Sequence, residues 1–201
     1  MKRTMAKTDP FEQLRIEIMS DAANQSYTEL GHKPLFTGSP SARIVIIGQA
    51  PGIRAQTSGK PWDDASGLKL MQWLGIDEAV FRDETLIAHM PMDFYYPGKG
   101  TSGDLPPRKD FARRWHPRLL ALMPGIELTL LIGSYAQKYY LAGVKKTTLT
   151  ETVRGYQEYL PEYFPLVHPS PLNFRWFNQH LWFETDVLPV LRERVHTVLT
   201  S

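Results

Sequence analysis

Two short polar turns carry the residue types from which an anion-binding or hydrolytic site could be built. The first is Gly48-Gln49-Ala50-Pro51-Gly52 and the second is His168-Pro169-Ser170-Pro171-Leu172-Asn173, and each follows directly on an apolar run. An imidazole fixed ahead of a Pro-Ser-Pro segment can donate a hydrogen bond to an oxygen on which negative charge develops. The Gln49 carboxamide offers a donor and an acceptor together. Glycines at 48 and 52 let the backbone approach a flat or charged ligand closely. The glycine turn has neither the Gly-Lys-Ser/Thr ending of a phosphate loop nor the third glycine of a dinucleotide fingerprint. Taken alone it reads as readily as a plain strand-to-helix turn. A lone histidine is more often structural than catalytic, but the balance shifts when it sits at the carboxyl end of a strand in an open α/β sheet.

The loop after the first turn adds candidates. Ala55-Gln56-Thr57-Ser58-Gly59-Lys60-Pro61-Trp62-Asp63-Asp64 places one large aromatic and two carboxylates just ahead of an apolar-periodic run. Trp62 either packs as most aromatics do or forms a platform for a base. Asp63 and Asp64 either cap the coming helix or hold a water. The chain has no cysteine, which excludes disulfides, thiolate metal sites and a Cys nucleophile. A Gly-x-Ser-x-Gly elbow and a metal-spaced His pair are also missing, which argues against a serine or metal-dependent hydrolase of small molecules.

The elements that must position these groups alternate along the chain. Phe11, Leu14, Ile18 and Ala22 recur at helical spacing, predicting a helix over about residues 9–24 with Asp9 and Pro10 at its start. Apolar runs at 43–47, 85–90, 127–133 and 163–167 predict buried parallel strands, the last despite Pro165. Helices are predicted over 66–75, 108–123, 134–142 and 177–198, the final one interrupted near Pro189. The Pro/Gly-rich segment 91–107 is too long for a bare connection and predicts a functional loop or a cover over the site. The order α-β-α-β-α-β-α-β-α predicts a three-layer α/β/α fold around a central four-stranded parallel sheet.

With 201 residues, 42% of them hydrophobic, the chain holds material for one sizeable core, so a single domain over 1–201 is expected. No stretch approaches the roughly 18 apolar residues of a membrane span. Met1 to Thr8 has basic residues without the apolar centre of a secretory leader, and a soluble cytoplasmic protein is expected. The net charge of +2 is too small to drive nucleic-acid binding by itself. Basic residues gather at Arg108, Lys109, Arg113, Arg114 and Arg118, and again at Lys138, Lys145, Lys146 and Arg154. Each group is a solvated face or a contact for phosphates.

Together the two turns resemble the motif 1 and motif 2 pair of the uracil-DNA glycosylase superfamily. The stretch from Ala55 to Trp62 and the run His89-Met90-Pro91 are similar to the single-strand-selective monofunctional branch. Asp64-Ala65-Ser66-Gly67, Tyr96-Pro97-Gly98, Gly103-Asp104-Leu105-Pro106-Pro107 and Trp182-Phe183-Glu184 resemble a poorly characterised bacterial branch, and the likeness covers roughly residues 40–198. The resemblance implies excision of uracil or another deaminated base from DNA after the nucleotide is flipped out of the stack. It implies that His168 bonds the uracil O2 and that Gln49 and the backbone at Ala50 place the water. Gly48, Pro51 and Gly52 would shape the pocket, with Trp62 stacked on the base. Pro171 and Leu172 would wedge the DNA, while Ser170, Asn173 and Arg175 fix the loop or meet phosphate. It also implies a monomer whose partner is DNA carrying a damaged base, with no cofactor, metal or membrane.

Two positions depart from that pattern. Ala50 stands where the active branches carry Asp or Asn, and the straightforward alignment puts Ala88 where an Asn reads the base. Asp63, Asp64, His89 and Asp93 are the residues that could take over these tasks. Failing that, the fold serves as a DNA-binding or damage-sensing module with weak catalysis or none.

Overall fold

The computed structural model describes residues 9–101 and 103–201; residues 1–8, read above for the absence of a leader, lie outside them. In chain order the elements are α1 (Pro10–Ser20), α2 (Gln25–Glu29), β1 (Ile44–Ile47), α3 (Ile53–Ser58), α4 (Ala65–Leu74), α5 (Glu78–Arg82) and β2 (Ile87–His89). They continue with β3 (Lys99–Gly100), β4 (Gly103–Asp104), α6 (Phe111–Leu120), β5 (Leu128–Ile132), α7 (Gly133–Tyr140), α8 (Leu149–Arg154), β6 (Tyr163–Leu166), α9 (Phe174–Gln179) and α10 (Leu188–Thr200).

Strands β1, β2, β5 and β6 make one parallel sheet in the order β2-β1-β5-β6, the expected α/β architecture. All four residues of β1 are buried because both faces of the sheet are covered. Ile44 and Ile46 meet Leu70, Trp73, Phe183 and Leu191 on one face. Val45 and Ile47 meet Phe11, Phe36, Phe94 and Trp115 on the other. The Thr129 N–H donates to the Glu162 carbonyl at 2.8 Å, which turns the even-numbered residues of β6 towards β5. Pro165 therefore faces the open edge, where its missing N–H leaves no ladder bond unmade.

Differences from the sequence expectations have local causes. The first helix stops at Ser20, because Asp21 takes an extended conformation and accepts the Ala23 N–H at 2.9 Å. The last helix is two pieces: α9, then a wide turn over 183–187, then α10 with Pro189 in its first turn, where an N–H has no helical partner. Segment 91–107 contains the short β3–β4 hairpin.

Asp93, expected at the substrate, is instead a structural anchor. It is fully buried, and it takes Arg108 Nε at 2.7 Å and Nη2 at 2.8 Å. The backbone N–H groups of Tyr95 and Arg108 donate to the same carboxylate. The guanidinium also bonds Asn24 Oδ1 at 2.8 Å and lies over Tyr27 and Phe111. One ion pair thus ties the exit of β2 to the α1–α2 region and the start of α6. Removing one partner of a buried pair leaves the other charge uncompensated. Asp93→Asn should lower unfolding stability by about 3 kcal/mol, read as a lower urea midpoint; an unchanged midpoint would remove the anchoring role.

Candidate active site

The two polar turns, more than a hundred residues apart in sequence, meet at the carboxyl edge of the sheet. They share a cavity of about 500 Å³ that takes in Gly48 to Gly52, Pro61, Trp62, Asp64, Ser66, His89, His168, Ser170, Leu172 and Asn173. Its far wall includes Leu35, Pro91, Gly103 and Asp104. A neighbouring hollow of about 270 Å³ lies beyond Gln49, His168 and Asn173, against Ser134, Tyr135 and Trp176.

Trp62 is placed by two glycines. A Cβ on Gly67 would lie 1.9 Å from the Trp62 carbonyl oxygen, and one on Gly48 would lie 2.8 Å from Trp62 Cζ2. Trp62 itself has φ 56°, a left-handed conformation that a non-glycine residue holds only where its surroundings fix it. Asp64 helps to fix it by capping α4, with Oδ1 accepting the Gly67 N–H at 2.9 Å. The indole ends up half-buried with its centroid 5.7 Å from that of His168, the rings inclined at 33°.

His168 follows β6 and is held by its own loop. Its carbonyl accepts the Asn173 side-chain N–H at 2.9 Å, and Ser170 Oγ accepts the Leu172 N–H at 3.2 Å. Ser170 and Asn173 thus brace the turn. Burial holds the His168 imidazole below its ordinary value, opposed by the charge of Asp64. At neutral pH the ring is uncharged and carries one N–H to donate.

Gln49 lines the cavity and is tethered, with Nε2 donating to the Leu105 carbonyl at 3.1 Å. The chain leaving β2 runs alongside this turn, Met92 N–H donating to the Gly48 carbonyl at 2.8 Å and Asp93 N–H to that of Gln49 at 3.2 Å. Pro91 is set from behind by the buried His116, whose Nε2 donates to its carbonyl at 3.0 Å while Nδ1 accepts from Tyr140.

Of the three candidate carboxylates, only Asp64 is in the cavity lining. Asp63, expected as catalytic, turns instead to Ser58 and to Arg54 at 3.5 Å, and these hold its carboxyl below the usual range. Asp93 is the anchor described above. Ala88 does not face the site either: its side chain packs near Gly38 on the α1 and α6 face of the sheet, and the next residue, His89, lines the cavity. Arg175 is exposed on α9 beside Phe174, outside the cavity lining. Leu172 stands at the rim with 86% of its surface exposed.

Two contributors escaped the sequence reading. Ser66 is buried in the cavity wall, and Gln56 pins the cover by donating to the Lys33 carbonyl at 2.9 Å and accepting the Tyr96 N–H at 2.8 Å. A polar residue two positions into a helix, or a lone Gln between Ala and Thr, carries no local signal of burial. Among the described residues, no group of three or more His, Asp or Glu converges as a metal site. No helix among them is long and apolar enough to cross a membrane.

A family model described as the uracil DNA glycosylase superfamily matches residues 35–192, a span that contains both turns and the whole cavity lining. Among solved structures, the chain is similar to the solution NMR structure of a candidate uracil DNA glycosylase from Methanosarcina acetivorans. That likeness has 14% sequence identity, covers 79% of this chain and 94% of that one, and gives a TM-score of 0.46. The overlap is too loose to bear on the site.

The close fit of Trp62 over Gly48 can be tested by a double-mutant cycle. Gly48→Ala should destabilise the protein by about 1–3 kcal/mol in urea unfolding, because the new methyl displaces the indole. In a Trp62→Ala background the same substitution should have an effect of under about 0.5 kcal/mol. Equal effects in both backgrounds would show that the indole does not impose the glycine.

Proposed function

The chain belongs to the uracil DNA glycosylase superfamily, and from that membership we propose that it hydrolyses the N-glycosidic bond of uracil or another deaminated base turned out of DNA. The observation that carries this reading is the placing of an uncharged His168 and the Trp62 indole in one cavity, 5.7 Å apart. The extruded base enters beside the indole. As the bond from C1′ to the base nitrogen breaks, electrons move onto the base, and the His168 N–H bonds the oxygen where that charge collects. A water adds its oxygen to C1′ and gives its proton to the Asp64 carboxylate, and the expelled base anion is protonated in turn, which leaves an abasic sugar and the free base. We assign that water to Asp64, the cavity carboxylate whose Oδ2 is outside the helix cap. The same charge steadies the cationic sugar.

Ala50 brings no polar side chain to the turn, so the water depends on Asp64, Gln49 and backbone groups. Leu172 and Pro171, exposed at the rim, suit the wedge that fills the gap left in the DNA. Arg175, exposed on the next helix, suits a phosphate. We propose a cytoplasmic, monomeric, single-domain enzyme that uses no cofactor, nearest in character to the single-strand-selective branch. The second reading, a DNA-binding or damage-sensing protein with weak activity or none, draws on Ala50 and on the lack of an Asn at Ala88 or its neighbour His89.

Incubation with oligonucleotides carrying uracil, hypoxanthine or xanthine should give abasic product, seen as strand cleavage in alkali. Absence of product from all three at enzyme excess would refute catalysis. His168→Ala should lower kcat by about 100- to 1,000-fold, with DNA affinity changed far less. Because burial lowers the His168 pKa, the charged ring forms only below the ordinary imidazole value of 6.5. An imidazolium beside a cationic sugar raises the barrier, so kcat should be level above pH 6.5 and fall on acidification below it. His168→Gln should abolish that acid limb; its persistence would assign the limb to another group. Leu172→Ala should lower kcat/KM on duplex DNA about tenfold more than on single strands, and an equal loss on both would remove the wedge.

A further inference from the structure

The charges inside the cavity are of one sign. Among the described residues of its lining the charged side chains are Asp64 and Asp104, and no Lys or Arg joins them. The cations nearby are engaged outside that lining. Arg54 turns to Asp63, Arg82 bonds Glu78 and the Pro61 carbonyl, and the largely exposed Lys99 lies 3.8 Å from Asp104 Oδ1. The Asp64 charge is felt within the cavity, because it acts on the His168 ring against the effect of burial. Asp104 stands on the far wall, where its Oδ1 also accepts from the Tyr96 hydroxyl at 3.3 Å. Burial favours the neutral form of both imidazoles of the lining, His89 and His168, so they add no positive charge near neutral pH. The same lining holds the Trp62 indole, whose π face attracts cations. These surroundings oppose a base that leaves as an anion, and the mechanism above answers them with one N–H from His168. They suit a base that arrives with a positive charge.

We propose, resting on the glycosylase reading, that the same cavity also excises purines made cationic by alkylation at a ring nitrogen, with 7-methylguanine as the type case. The indole and the carboxylates attract the positive ring, a charge that an unmodified purine lacks. A cavity of about 500 Å³ has room for a two-ring base. When the bond from C1′ to N9 breaks, its electron pair neutralises the ring cation, and the base leaves as uncharged 7-methylguanine. Water adds its oxygen to C1′, its proton passes to the Asp64 carboxylate, and an abasic sugar remains. No negative charge collects on a base oxygen in this step, so it does without the N–H of His168. Uracil and an alkylated purine thus draw on different parts of one lining. The first needs a donor for its departing anion, and the second needs negative charge and an aromatic face on arrival.

The test measures free base released from single-stranded oligonucleotides carrying one 7-methylguanine, one uracil or an unmodified guanine at the same place. Wild-type protein in excess should release 7-methylguanine at least about 100-fold faster than it is lost without protein, and should release no guanine. Release of uracil without 7-methylguanine overturns the proposal and leaves the glycosylase reading standing. Release of 7-methylguanine with no uracil, hypoxanthine or xanthine supports the cationic substrate and refutes the reading for deaminated bases. Release of none of them overturns both. His168→Ala should lower uracil release by about 100- to 1,000-fold but 7-methylguanine release by under about tenfold; an equal loss on both overturns the proposal. A second measurement needs binding alone, with 2′-fluoroarabino sugars that resist cleavage. Wild-type protein should hold 7-methylguanine about tenfold tighter than its neutral isostere, 7-methyl-7-deazaguanine. Trp62→Phe should keep part of that preference and Trp62→Leu should lose it. Equal affinity of the wild type for the two oligonucleotides overturns the proposal even if every variant fails to fold.

Discussion

The site depends on a steric condition: the loop before α4 must come close enough to the end of β1 for an indole to lie on a Cα. Gly48 and Gly67 meet that condition from opposite sides, one under the ring and one against the backbone carbonyl of Trp62. The positive φ of Trp62 is the local consequence, and it aims a large aromatic into the carboxyl edge of the sheet. With a bulkier residue at either glycine the loop would stand off and the rings of Trp62 and His168 would part. Packing therefore sets the distance between the two rings, with the Asp64 cap in support.

Burial then decides the protonation states. His89, His116 and His168 all lie where a charge is poorly solvated, and each is shifted towards its neutral form. They differ in what they touch. His116 is satisfied at both nitrogens and acts as a brace behind Pro91. His168 is braced through its backbone carbonyl. His89 is held at one nitrogen only. Neighbours, not residue type, thus set how each of the three neutral imidazoles is held.

Much of this was legible in the sequence. Apolar runs located the strands, and the turns after them were placed correctly because a parallel sheet delivers its strand ends to one edge. Pro165 was compatible with a strand because it falls on an outward position. The carboxylates were not legible. Asp63, Asp64 and Asp93 look alike in sequence, and only tertiary contacts make the first a partner of Arg54, the second a cap in the cavity wall and the third an internal anchor. The choice between Ala88 and His89 turned on strand parity, where a slip of one residue exchanges the two faces of the sheet. Likeness to a family's sequence pattern does not resolve a step of one residue. Register with Ile46 does, since it puts His89 on the Trp73 and Phe81 face and Ala88 on the other.

The outward setting of Pro165 has a bearing on how the chain behaves in company. A strand at the margin of a sheet is a template for another chain, and its free N–H groups are what a stray strand pairs with. On β6 one of those groups is absent at Pro165. At the opposite margin β2 is closed by the antiparallel bridge of Thr37 to His89. A protein that keeps a sizeable, partly apolar cavity open at one end of its sheet is thus guarded along both sides, and self-association by strand addition finds no complete row of partners.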